Sequence, residues 1–191
     1  MTKQFVPMVS FISLIVLAGS GVLVPQARTE ADVYTRLFEL GYHGTPPMVR
    51  VVKDVAVLMP TLSGSSADWV KQFDDAPVAL RRAAGQPFPT TARLLDVAEL
   101  PAGTKVVSER AIATIFARGV DEGWAAFRQQ YGSEGWLSFS EVLFTPDVLD
   151  ALVYYERRCG SLCGEGGYAW LHRDSTDSRW SIKKTVIRWK S

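Results

Sequence analysis

The two cysteines of the chain, Cys159 and Cys163, stand four residues apart in the glycine-rich segment CGSLCGEGG, residues 159–167. In an oxidising compartment, two cysteines this close are expected to form a disulfide. The glycines free the backbone for the tight turns that such a short loop requires. Because the closed loop is small, we expect a stabilisation of about 2 kcal/mol, at the low end of the usual range. The predicted role of this disulfide is to fix the shape of the loop and the strand register.

Three other chemistries for this segment fit less well. A redox dithiol is typically Cys-x-x-Cys at the start of a helix, whereas this spacing is one residue longer and a strand is predicted to follow. A zinc site would need His43 and His172, the two histidines of the chain, and His43 is distant in sequence. A phosphate-binding loop would lead into a helix and carry a Lys. We therefore assign no metal, cofactor or catalytic residue and predict a structural disulfide.

Candidate catalytic residues are few. A hydrolytic site needs an imidazole base or paired carboxylates. His172 lies late in a predicted strand, Glu141 and Glu156 lie in strands of the same predicted sheet, and Glu165 lies in the cysteine loop. Their convergence on one pocket would favour a small secreted or periplasmic hydrolase that uses His172 with a nearby glutamate. Scattered positions would favour solvated or packed residues, which is the usual situation for a lone strand histidine.

Hydrolase signature motifs such as Gly-x-Ser-x-Gly and His-Glu-x-x-His are absent from the sequence. We therefore predict a non-enzymatic binding or interaction module, with the hydrolase as the alternative, and we leave enzymatic activity open. The charges nearly cancel, with 21 Lys and Arg against 20 Asp and Glu. A balanced surface gives no electrostatic attraction for nucleic acid or for an anionic membrane. The expected partner is another protein or a surface component.

An aromatic row marks the helix that is predicted to end at Gly132. Trp124, Phe127 and Tyr131 recur at i, i+3 and i+7, which places them on one helical face. Such a row can form a shelf for a ligand, but it is more often the face that a helix buries. We therefore predict that this face packs into the core.

The N-terminal residues predict export. Lys3 is followed by the apolar stretch Phe5–Val24, and small residues lead to a possible cleavage site after Ala27. This order is typical of a secretory signal peptide. The alternative is an uncleaved membrane anchor, which Pro7 and Gly21 disfavour because they interrupt the stretch. We predict a signal peptide over residues 1–27, one domain over residues 28–191, and a periplasmic or secreted location. The protein would contact a membrane only if the segment were retained.

The elements that must position these residues follow from periodicity and turn chemistry. Capped, helically spaced runs predict helices at Ala31–Leu40, Val78–Ala84, Glu109–Arg118 and two further segments that begin near Asp68 and Asp121. Apolar runs rich in β-branched and aromatic residues predict strands at Val51–Met59, Arg93–Ala98, Leu137–Phe144, Ala151–Glu156, Tyr168–Arg173 and Trp180–Trp189. The last four have short polar connections, which favour antiparallel neighbours.

We therefore predict an α+β fold in which the N-terminal and central helices pack on one face of a C-terminal four-stranded antiparallel meander. The cysteine loop would join the second and third strands of this meander. With 47% hydrophobic residues in 191, the chain is long enough to bury the core of a single domain.

The region from Trp124 to the C-terminus resembles a family of exported bacterial proteins of unknown function. The matching pieces are Trp124-x-x-Phe127, Tyr131-Gly132, Phe139-Ser140, Val142-Leu143-Phe144, Ala151-Leu152-Val153-Tyr154, Cys159-Gly-Ser-Leu-Cys163-Gly164, Gly167-Tyr168 with Leu171, Trp180 with Ile182, and Trp189-Lys190-Ser191. The chain departs from the pattern at Arg173 and in the longer turn at residues 174–178, where a Lys and a short glycine turn are usual. The resemblance implies no activity, cofactor or catalytic residue.

Overall fold

A computed structural model describes residues 26–41, 51–54, 72–84, 95, 100–174 and 179–191. The helices of this part of the chain are α1 (Gln26–Gly41), α2 (Val78–Ala84), α3 (Glu109–Ile115) and α4 (Val120–Tyr131), with a 3-10 turn at Phe116–Arg118. The strands are β1 (Val51–Lys53), β2 (Lys105–Val107), β3 (Trp136–Phe139), β4 (Leu143–Phe144), β5 (Asp150–Gly160), β6 (Cys163–His172) and β7 (Ser181–Lys190).

The described strands form one mixed sheet. Six of them follow the order β2-β1-β3-β5-β6-β7, and β4 pairs with β5 off this path. The α+β class is confirmed, but the predicted four-stranded antiparallel meander is wrong in two respects. The described sheet has seven strands, and two of its strand pairs are parallel. Strand β1 pairs in parallel with both β2 and β3, because long helix-containing connections return the chain in the same direction.

The predicted strand Leu137–Phe144 is interrupted in its middle. Strand β3 pairs Phe139 with Tyr155, whereas β4 pairs Leu143 with Leu152, so one extra residue lies between the two stretches. The Ser140 side chain explains the interruption, because its hydroxyl accepts a hydrogen bond from the Tyr154 amide at 2.9 Å. A side chain thus takes the place of a backbone partner, and the strand bends around β5 as at a β-bulge.

Helices cover both faces of the sheet, not one face as the sequence predicts. On one face, α1 packs four buried residues against alternate residues of β5 and β6: Val33, Tyr34, Leu37 and Phe38 against Ala151, Val153, Ala169 and Leu171. On the other face, α2 and the turn before it pack against the intervening residues: Phe73, Ala76 and Leu80 against Leu152, Tyr154, Tyr168 and Trp170. Successive strand residues point to opposite faces, so both faces of these strands are apolar.

The aromatic row of α4 packs into the core, as predicted. Trp124 and Phe127 are buried, and the Trp124 ring stacks on Trp136 with 5.0 Å between centroids. The helix ends at Gly132, whose φ of 67° lies in the left-handed region that favours glycine. This cluster closes the end of the sheet formed by β1, β2 and β3.

Some sequence predictions fall outside the described residues, wholly or in part. This group contains residues 1–25 of the predicted signal segment, His43, most of Val51–Met59 and the segment that begins near Asp68. It also contains the predicted strand at Arg93–Ala98, of which only Leu95, a buried residue, is described. The helices at Val78–Ala84 and after Ser108 are confirmed. None of the helices in the described ranges is long and apolar enough to span a bilayer.

Candidate functional site

A disulfide closes the hairpin between β5 and β6. Cys159 and Cys163 are bonded, as predicted, with 5.0 Å between their Cα atoms. The strands continue much closer to the disulfide than predicted, since Gly160 pairs with Cys163 and only Ser161 and Leu162 remain in the turn. Gly160 has a φ of 152°, a conformation that favours glycine. The predicted disulfide-closed loop is therefore shortened to a two-residue turn at the end of two long strands.

The turn presents one apolar side chain to solvent. Leu162 is 86% exposed, the highest exposure of any large hydrophobic residue in the described part of the chain. Directly below the turn, Cys159 is the extra residue at a register shift between Arg158 and Gly160. Gly135 packs so closely beneath that a Cβ there would meet the Arg158 carbonyl oxygen. The base of the hairpin is thus held on the side of β3.

On the opposite side, the indole of Trp189 holds the hairpin. Its ring lies against two glycines of β6, since a Cβ at Gly166 would fall 2.2 Å from Trp189 Nε1 and one at Gly164 would fall 3.0 Å from the same ring. The next residues continue the contact, since the Ser191 amide donates to the Gly164 carbonyl at 3.0 Å. Gly164 and Gly166 therefore leave the space that the indole occupies on β6.

Hydrogen bonds and a cation fix this indole in place. Trp189 Nε1 donates to the Tyr154 hydroxyl at 3.0 Å, and that hydroxyl donates to Glu156 Oε1 at 3.0 Å. Arg158 places its guanidinium 4.4 Å from the centre of the Trp189 ring and 3.5 Å from Glu156. Burial raises the pKa of Tyr154 to about 12, against a smaller opposing effect of the bond from Trp189. The phenol therefore remains a neutral donor at physiological pH.

The ring of His172 lies between two carboxylates. Its Nδ1 is 3.1 Å from Asp150 Oδ1, and its Nε2 is 3.4 Å from Asp174 Oδ1. Asp150 is buried and also accepts a hydrogen bond from the Trp170 indole at 2.7 Å. A hydrolytic base uses one ring nitrogen for an orienting acid and the other for a nucleophile. In this arrangement the second nitrogen faces another carboxylate, so His172 forms no nucleophile–base pair with the residues that the structure describes.

The three candidate glutamates do not gather around His172. Glu156 pairs opposite Gly166, six residues along β6 from His172, which is about 20 Å. Glu165 and His172 point to opposite faces of the sheet, because they are an odd number of residues apart on the same strand. Glu141 lies in the break between β3 and β4. The shared pocket that would support the hydrolase is therefore not formed by these residues.

The other chemistries considered for the cysteines lack the required geometry. Cys163 and His172 lie at opposite ends of β6, nine residues apart, or about 30 Å, which is too far for a common metal ion. The glycines after Cys163 lead into β6 and not into a helix, so they supply no helix N-terminus for a phosphate.

Glu165 lines a small groove beside the C-terminal half of α1. The groove encloses about 210 Å³, with Leu37 and Phe139 among its apolar residues and Tyr155 and Lys190 among its polar ones. Glu165 lies 4.0 Å from both Arg157 Nε and Lys190 Nζ. Burial raises the pKa of Tyr155, and the charge of Glu165 adds to the shift. The negative charge of Glu165 is compensated by the two cations beside it, Arg157 and Lys190.

A larger cleft lies on the outer side of α1. It encloses about 460 Å³ between Asp32, Arg36 and Glu39 on the helix and the Arg179–Trp180 segment. Arg36 and Glu39 form an ion pair with each other across one turn. Acidic and basic groups line this cleft together, so it offers no selectivity for ligand charge.

Sequence reasoning found the disulfide but missed the packing around it. The bond from Trp189 to Tyr154 links residues 35 positions apart, and neither position suggests the other. One signal was present, since glycines at alternate strand positions leave a space that an aromatic side chain from a neighbouring strand can fill. In comparisons with models of protein families, with curated proteins and with solved structures, no match to this chain was found.

Proposed function

We propose that this protein is a non-enzymatic exported binding module, and that the tip of its disulfide-closed hairpin contacts a protein or surface component. One observation carries the proposal: Leu162 is 86% exposed on a two-residue turn that the Cys159–Cys163 disulfide closes. An isolated exposed leucine needs no explanation. A leucine held outward on a covalently closed turn is already ordered before it meets a partner.

The turn that carries Leu162 is suited to recognition because it is already rigid before a partner binds. Immobilising a flexible loop costs binding free energy for each side chain that is fixed, and a loop that is rigid beforehand avoids this cost. Gly135 supports one side of the hairpin and Trp189 supports the other, so the strands beneath the turn are packed as well as bonded. An apolar pocket on the partner, of the size of one leucine side chain, would complement the tip.

Export belongs to the same proposal. A disulfide between two cysteines persists in oxidising compartments, and the bonded pair is consistent with an exported protein. The predicted signal segment at residues 1–27 and the resemblance of residues 124–191 to exported bacterial proteins are further reasons for proposing the same location. The hydrolase alternative is less well supported, because His172 lies between Asp150 and Asp174 and away from the candidate glutamates.

Site-specific photo-crosslinking in the producing cells tests the proposal. A photoreactive amino acid replaces Leu162 in the full chain, and matched variants carry it at Val78 and Val120, which are 60% and 53% exposed. We expect one discrete adduct at position 162 and none at the two controls. Excess unlabelled wild-type protein should suppress the adduct, whereas a Leu162→Asp competitor should not.

Equal labelling at all three positions, or an adduct that wild-type protein fails to suppress, would contradict the proposal. The hydrolase alternative has a separate test in a broad substrate screen. Activity that His172→Ala abolishes would favour it, and any activity that persists in the variant would not involve this histidine.

A further inference from the structure

The outer edge of β7 is long, and no described strand pairs with it. Strand β7 runs over ten residues, Ser181–Lys190, which is about 33 Å, and it ends the order of strands in the described sheet. Within the described ranges, no strand or loop forms backbone hydrogen bonds with this edge. Native proteins usually shorten or cover such an edge, because its unpaired amides and carbonyls can bind another strand.

The charge of this edge departs from that of the whole chain. Strand β7 contains four basic residues and no acidic one, although the chain as a whole is balanced. Two of the four have acidic neighbours: Lys184 lies 2.8 Å from Asp75, and Lys190 lies 4.0 Å from Glu165. Lys183 and Arg188 are exposed and form no ion pair with any described residue.

These two cations occupy special positions in the strand. The register between β6 and β7 shifts at two places, and the extra residues on β7 are Lys183 and Arg188. Between them, Lys184–Ile187 forms a regular stretch of four residues with Thr185 exposed and Ile187 39% exposed. Lys183 and Arg188 thus flank a short ordered stretch and lie five positions apart, or about 16 Å along an extended chain.

A second copy of this chain is a poor partner for the edge. Pairing β7 with another β7 would bring lysines and arginines together, and like charges that face each other destabilise a strand pair. An acidic extended segment would instead be stabilised on this edge, because each of its carboxylates would face a cation. The same charges therefore oppose self-association and favour one class of partner.

We propose that the β7 edge binds an extended acidic peptide segment by strand addition. Lys184–Ile187 would supply the backbone hydrogen bonds, and Lys183 and Arg188 would contact two carboxylates about five residues apart. This inference goes beyond the function proposed above, because it requires neither Leu162 nor the disulfide. Loss of one binding surface would leave the other intact.

Three synthetic peptides test the proposal by NMR titration of the isotope-labelled full chain. The probe is the blocked hexapeptide Glu-Thr-Val-Thr-Val-Glu, whose acidic ends are five positions apart. Lys-Thr-Val-Thr-Val-Lys reverses its charge, and Glu-Thr-Pro-Thr-Pro-Glu keeps the charge but lacks two backbone donors. We expect saturable shifts of the β7 amides with the first peptide, at least tenfold weaker binding of the second, and loss of binding with the third.

A charge-reversed protein and a hairpin variant complete the design. K183E/R188E should reverse the preference and bind the basic peptide better, whereas Leu162→Asp should change the affinity for the acidic peptide by less than about twofold. If the double variant does not fold, the ranking of the three peptides on wild-type protein decides. Equal binding of the proline peptide, shifts confined to other elements, or no shift at millimolar peptide would overturn the proposal. Concentration-dependent β7 shifts without peptide would show self-pairing and also overturn it.

Discussion

Replacing Gly166 by alanine tests the contact that joins the C-terminal strand to the hairpin. The new methyl group would lie 2.2 Å from Trp189 Nε1 and 2.8 Å from the Tyr154 hydroxyl. Non-bonded atoms do not approach each other this closely, so the Trp189 indole must shift away from β6. A shift of the indole breaks its hydrogen bond to Tyr154 and weakens the contact with Arg158.

The magnitude follows from these contacts. Overpacking a well-fitted site costs about 1–3 kcal/mol, loss of the hydrogen bond adds about 1 kcal/mol, and loss of the cation–π contact adds about 0.5–1 kcal/mol. Alanine also restricts the unfolded chain, which returns about 0.4–1 kcal/mol. We expect Gly166→Ala to lower the free energy of unfolding by about 3 kcal/mol, which for a domain of this size corresponds to a decrease of about 6–12 °C in Tm.

A double-mutant cycle with Trp189→Ala isolates the clash from other effects of the alanine. Urea unfolding is measured for the wild type, both single variants and the double variant. Once the indole is absent, the close contact with the Tyr154 hydroxyl at 2.8 Å remains, so Gly166→Ala should cost less than about 1 kcal/mol and the coupling between the two positions should be about 2–3 kcal/mol. Gly103→Ala is the matched control, because its φ is 79° and no atom lies near its Cβ position.

The expected pattern is specific. Gly103→Ala should destabilise through backbone strain alone, by the same amount with or without Trp189. If Gly166→Ala instead costs the same in both backgrounds, the glycine is needed for backbone conformation and not for the indole. A cost below about 1 kcal/mol in the wild type would likewise refute the overpacking argument.

Three further predictions concern titration, the disulfide and the buried aspartate. Burial raises the pKa of both Tyr154 and Tyr168 from 10.0 to about 12, so their contribution to stability is complete below pH 10 and is lost as the pH rises toward 12. Each tyrosine should account for up to about 3 kcal/mol, measured as phenolate absorbance that appears together with alkaline unfolding. Serine in place of both Cys159 and Cys163 should cost about 2 kcal/mol in urea unfolding, and reductant should then have no effect on stability. Asp150→Ala should cost about 2–3 kcal/mol, because it leaves a buried indole donor without its acceptor, and calorimetry would detect the loss.

The features that the sequence predicts well are those with local causes. The helix at Val78–Ala84 follows from Pro77 at its start, and the helix after Ser108 follows from a side-chain cap that the structure contains at 3.1 Å. The disulfide follows from a spacing of four residues. Each depends on interactions between residues close in sequence, which composition and periodicity report directly.

Features that depend on distant pairing were not predictable in this way. Strand β2 is three residues long, too short for a periodic signal, and its parallel pairing with β1 joins residues more than fifty positions apart. The bulge at Ser140 depends on a hydroxyl that bonds to the Tyr154 amide on another strand. The segment Leu137–Phe144 is compatible with pairing on either side of such a bulge, so the sequence alone cannot place it.

The glycines of β6 show how one local signal can have two physical causes. A glycine-rich stretch beside a disulfide indicates a flexible turn, and Gly160 does adopt the unusual φ that this explanation requires. Gly164 and Gly166 lie instead in a regular strand, where glycine normally weakens pairing. Glycine is required at these two positions because the Trp189 ring, which packs against β6, leaves no room for a Cβ. The disulfide closes the turn, while the indole ties β6 to β7 below it. The closed turn and the basic edge of β7 are thus linked through one strand, β6, which is bonded to β5 by the disulfide and packed against Trp189 of β7.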